Sequence, residues 1–127
     1  MTLRQIHGDF AWVVVVTNAM VGGWAIGAHY ETRLRARALW WATGVAQVTM
    51  AIEVCLGVSL VAIQDYDVAP FHTLYGFSGI AAIGILYSYR DQVKREHLWV
   101  LYGLGGLFMM GLALRAISIS PIPPPTP

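Results

Sequence analysis

Four apolar stretches, Phe10 to Tyr30, Leu39 to Ile63, Phe71 to Tyr89 and Leu98 to Ile117, occupy most of this chain, and each is long enough to cross a bilayer as a helix. A hydrocarbon core about 30 Å thick takes about 20 helical residues, and inside it every backbone N–H and C=O must be bonded within the protein. Little chain remains for a soluble domain. The composition agrees: 57% of residues are hydrophobic and 12% charged, whereas about a quarter of an ordinary soluble sequence is charged. A formal net charge of +1 argues against a nucleic-acid partner, which calls for basic residues gathered on one exposed face.

The basic residues sit where a membrane topology needs them. Arg33, Arg35 and Arg37 lie between the first and second stretches, and Arg90, Lys94 and Arg95 between the third and fourth. Both loops are therefore expected to be cytoplasmic. The connection from Gln64 to Pro70 carries Asp65 and Asp67 and no Lys or Arg, as suits an external loop. Tyr30, Trp40, Trp41, Tyr87, Tyr89 and Trp99 mark the inner boundary, and Trp12, Tyr66 and Tyr75 the outer one, where amphipathic rings prefer to lie.

Short connections make successive helices antiparallel neighbours. The expected fold is all-α, an integral membrane up-and-down four-helix bundle with both termini outside. Residues 1–120 form the bundle and residues 121–127 a proline-rich tail, which cannot be helical and favours an extended conformation. The first stretch is expected to be retained rather than cleaved, because it is longer than a signal-peptide core and no small-x-small site follows; neither end carries a lipidation motif. Cys55, the single cysteine, has no disulfide partner in the chain and is expected to pack as a small apolar residue. The setting that fits is a bacterial plasma membrane, with basic loops on the cytoplasmic side.

Lipid provides no hydrophobic drive for helix association, so small and polar residues should mark the packed faces. On the first span these are Asn18, Gly22, Ala25 and His29, with Gly23 and Gly27 alongside. The second offers Ala42, Ala46, Thr49, Glu53 and Gly57, the third His72, Gly76 and Gly79, and the fourth Gly103, Gly106 and Gly111. Glu53 stands out, because an ionisable side chain in mid-span faces a bundle interior, a cavity or a partner. Asn18, at similar depth, and Arg115, near the outer end of the fourth span, are its expected partners; a structural clasp or a proton- or quinone-contacting carboxylate are the roles open to it.

The topology sorts the four histidines into two pairs, His7 with His72 at the outer boundary and His29 with His97 at the inner one. Paired imidazoles from different helices of a bundle hold b-type haem by filling both axial positions. The layout resembles that of transmembrane b-type cytochromes, over these four positions and no longer motif. The resemblance implies haem b with these residues as ligands, and Gly76, one turn beyond His72, would leave room for a flat macrocycle. His7 and His97 depart from the pattern, since one precedes the apolar core and the other lies in a Lys-Arg-Glu-His segment. No compact His, Cys or carboxylate set suggests zinc.

Three functional classes follow. The first is a small non-catalytic accessory or assembly subunit of a larger membrane complex, respiratory for example; its partners are the bilayer and other membrane subunits, and it needs no cofactor. The alternative is a b-type haem-binding or quinone-linked redox protein. A transporter is the third, disfavoured because no proline-broken helix or second embedded charge accompanies Glu53. With no nucleophile–base pair or phosphate-cradling loop, an enzyme acting on its own soluble substrate is not expected.

Overall fold

A computed structural model describes residues 1–119, which are helical with no strand among them. The helices are α1 (Leu3–Tyr30), α2 (Arg37–Gln64), α3 (Pro70–Tyr89) and α4 (Leu98–Ser118), with single 3-10 turns at Thr32–Leu34 and Arg95–His97. Each apolar stretch is one helix. The tail expected over 121–127 lies outside the described residues.

Helix ends explain where the elements start and stop. α1 begins at Leu3, well ahead of Phe10, because Thr2 and Gln5 form a capping box: the Gln5 N–H donates to Thr2 Oγ1 (3.2 Å) and the Thr2 N–H to Gln5 Oε1 (3.0 Å). His7, expected ahead of the first span, is thereby carried into the helix. At the other end Arg35 folds back, donating from Nε to the Ala28 carbonyl (2.7 Å) and from Nη2 to that of His29 (3.0 Å), so a cation satisfies orphan carbonyls where the helix dipole is negative. α2 ends on Asp65, left-handed at φ 51°, a conformation that Asp tolerates better than most residues. Pro70 opens α3 at its first turn, where a missing N–H costs nothing.

Three helical segments, Leu3–Tyr30, Arg37–Gln64 and Arg95–Ser118, are long and apolar enough to cross a membrane. α3 does not belong to that set; His72, Thr73, Ser78, Ser88 and its tyrosines dilute its apolar character.

α1 is the hub. It packs on α4 and on α2, α3 packs on α4, and α2 and α3 meet only sparingly, leaving a seam along one side of the bundle. The α1–α4 contact is backbone against backbone: a Cβ on Gly106 would lie 3.0 Å from Gly22 Cα and 3.1 Å from the Asn18 carbonyl oxygen, and one on Gly22 would lie 2.9 Å from the Leu107 nitrogen. Such closeness needs glycine on both sides. The α1–α2 contact is polar. Asn18, 1% exposed, donates from Nδ2 to the Val14 carbonyl (2.9 Å) and across the interface to that of Ala46 (3.4 Å), and the Thr17 and Thr49 hydroxyls lie 3.3 Å apart. Gly79 of α3 takes the Met50 side chain of α2, and Gly105 takes Leu86.

Polarity is inverted relative to a soluble bundle. Asn18, Thr43, Gln47 and Thr49 are buried, whereas Trp12, Met20, Trp41, Ile63, Phe71 and Phe108 are more than half exposed. Water disfavours such a surface; a hydrocarbon phase accepts it. Cys55, expected to pack inside, faces outward instead, because α2 turns its Ala46, Thr49 and Met50 edge to the core.

Candidate functional site

The end of the seam beside the α2–α3 connection holds a cavity of about 580 Å³ that is mostly apolar. Val14, Met50, Val54, Phe77 and Leu112 form much of its wall, and His7, Glu53, His72 and Thr73 are among its polar side chains, with Arg4 and Asp67 also lining it. Each of α1 to α4 contributes, so the site depends on the whole bundle.

His7 and His72 are brought together as expected. Their ring centroids are 6.1 Å apart with planes at 75°. His72 Nδ1 donates to the Ala116 carbonyl of α4 at 2.9 Å. His7 Nδ1 lies 2.9 Å from Glu53 Oε1, at ion-pair distance but off the line of a hydrogen bond, so His7 Nδ1 and Glu53 Oε2 are buried polar atoms without a hydrogen-bond partner among the described residues. A carbonyl hydrogen-bonded behind the second ring nitrogen, as that of Ala116 stands behind His72, is a usual support of a metal-bound histidine.

Glycines shape the space. A Cβ on Gly57 would lie 3.1 Å from His7 Cε1, so Gly57 seats the imidazole; Cβ atoms on Gly8 and Gly76, which also line the cavity, would meet nothing within 4 Å. The opening expected beside Gly76 is present. Two imidazoles from different helices and a glycine-lined apolar hollow fit a haem, and His7 and His72 are the residues that would hold it.

His29 and His97 also meet, with centroids 6.2 Å apart and planes at 39°. His29 Nδ1 donates to the Glu96 carbonyl at 3.1 Å. Here the resemblance between the ends stops: His97 is exposed on the 3-10 turn, and neither residue lines the cavity beside His7 or the one at the opposite end of the seam. His29 and His97 thus lack the cavity that His7 and His72 share.

Neither expected partner of Glu53 reaches it. Asn18 spends its amide on Val14 and Ala46, holding α1 to α2, and Arg115 is exposed on α4; Glu53 meets His7 instead. Sequence reasoning missed this contact, although the antiparallel hairpin contains it. Asn18 lies against Ala46, and eleven residues back along α1 and eleven forward along α2 stand His7 and Gly57, with Glu53 one turn away. No group of three or more His, Cys, Asp or Glu side chains suited to a metal ion exists among the described residues. No family model matches the chain, and comparison with curated proteins and with solved structures gave no match.

Proposed function

We propose that this chain is a membrane protein that binds one haem b between His7 and His72, a small cytochrome rather than an enzyme acting on a soluble substrate. The observation that carries the reading is the pair of imidazoles 6.1 Å apart across a glycine-lined apolar cavity. Haem held there would supply one-electron transfer. The chain's own contribution is to present two imidazoles, His72 held by the Ala116 carbonyl and His7 close to Glu53, and to surround the macrocycle with apolar side chains.

In the same reading the bundle is an up-and-down four-span protein of a bacterial plasma membrane, both termini outside and both basic loops cytoplasmic. The loop charges and the inverted polarity support it. α3 has 20 residues, about 30 Å at 1.5 Å per residue, so length does not prevent it from crossing with its neighbours. His7 and His29 are then about 33 Å apart along α1, one near each face.

A second reading, an accessory or assembly subunit of a larger membrane complex such as a respiratory one, is supported by Gly23, Gly84 and Gly111. They are exposed, and a Cβ on each would meet nothing within 4 Å, so another helix could approach closely there. The two readings are compatible. The test of the first is haem content: protein purified from haem-replete cells should carry about one haem per chain, with a Soret band that sharpens on reduction. Protein without a Soret band, before and after haem addition, sinks the cytochrome reading and leaves the subunit one.

A further inference from the structure

The inner end of the α2–α3 seam holds a second cavity, of about 650 Å³, whose chemistry is unlike the first. Arg35, Arg90 and Arg95 line it against the single carboxylate of Glu96, and Gln47 lies at its deep end. We propose that it is a binding site for one anionic phospholipid of the cytoplasmic leaflet, with the phosphate between the arginines and a glycerol ester carbonyl on Gln47.

Three observations converge on this ligand. Two of the three exposed cations carry contacts that place them beside the cavity. Arg35 is fixed by its bonds to the Ala28 and His29 carbonyls and lies 5.6 Å from the centre of the Trp99 ring. Arg90 leans back along α3, its guanidinium carbon 5.8 Å from the centre of the Tyr87 ring, and its only ion pair among the described residues is a long one, 3.8 Å, with the solvated Asp91, which screens it little.

Gln47 supplies the second observation. It is 5% exposed, and its Nε2 has no hydrogen-bond partner among the described residues. A buried donor left unmade costs about 1–3 kcal/mol, so an acceptor is wanted at this depth. The third is spacing. Met50 and Gly79 lie at one level; counting from them at 1.5 Å per residue, the Tyr87 level where the Arg90 guanidinium rests is about 7 Å nearer the cytoplasm than Gln47. A phosphodiester and its ester carbonyls, one glycerol unit apart, span several ångströms in that direction. Trp40, stacked on Trp99 at 4.7 Å, walls the site at the level of the lipid interface, and the seam lets acyl chains leave between α2 and α3. Basic pockets between helices on the cytoplasmic side suit anionic headgroups.

The test is native mass spectrometry of the detergent-solubilised full chain titrated with phosphatidylglycerol, phosphatidylcholine or inorganic phosphate. Phosphatidylglycerol should bind about tenfold or more tighter than phosphatidylcholine, the scale of two net guanidinium charges at a membrane surface, and inorganic phosphate should not displace it at equal concentration. R90Q with R95Q should remove most of that preference, R33Q should retain it, and Q47L should weaken both lipids severalfold while keeping the preference. Where the double variant does not fold, raised salt should erase the preference in the unaltered chain. Equal binding of the two lipids, displacement by inorganic phosphate, a preference that survives R90Q with R95Q, or Q47L behaving as the unaltered chain would overturn the proposal.

Discussion

At the scale of single residues, the account turns on what stands behind each imidazole. Glu53 is 12% exposed at its side chain and lies 2.9 Å from His7 Nδ1, where in the proposed haem site it would act on His7 and not on the iron. Replacing such a supporting group typically costs about 10–100-fold in affinity. Glu53→Ala should therefore weaken haem binding by about that factor, measured by titration of the apoprotein, while Arg115→Gln should leave it unchanged, because Arg115 is exposed and forms no ion pair with Glu53. Equal losses in the two variants would return Arg115 to the site. Glu53 was visible in the sequence as a charge in an apolar run, yet its partner was not. Depth along a span suggested Asn18, and it is the rotation of each helix about its axis, invisible in composition, that turns Asn18 to Ala46 and Glu53 to His7.

At the scale of elements, glycine placement decides how closely helices approach. Gly106 meets the backbone of α1 at Gly22 and Asn18, whereas a Cβ on Gly111 would meet nothing within 4 Å. Gly106→Leu should destabilise the bundle by about 1–3 kcal/mol or more, the cost of overpacking a closed contact, whereas Gly111→Leu should change stability little; thermal unfolding in one detergent compares them. The helices were legible because apolar runs of this length leave few alternatives. Their first turns were less so: α1 gains its start from Thr2 and Gln5, a capping signal outside the apolar run, and that extension is what places His7 on a helix facing the cavity. Which glycines pack and which stay open was not legible either, since Gly22 and Gly23 are neighbours in sequence and opposite in role.

At the scale of the whole molecule, the loop charges support the proposed orientation and the seam between α2 and α3 holds both cavities. Cysteine scanning in a Cys55→Ser background tests the first: A36C, in the basic loop, should react with an impermeant maleimide only after the membrane is opened, and D67C should react in intact cells. The reverse pattern would invert the topology and place the His7–His72 end on the cytoplasmic side. The sequence sorted the four histidines into two pairs that do meet in space, at 6.1 and 6.2 Å. What it did not reveal is that the pairs differ, because enclosure comes from the loose contact of two helices far apart in order and from a cavity that reaches His7 and His72 alone of the four. The most direct test of the central claim is the coordination state of the iron when haem is titrated into the purified apoprotein in detergent. The unaltered chain and H97A should give a six-coordinate low-spin spectrum, and H7A and H72A a five-coordinate high-spin one or no binding. A low-spin spectrum that persists in both H7A and H72A, or that is lost in H97A alone, would contradict the assignment of the outer pair.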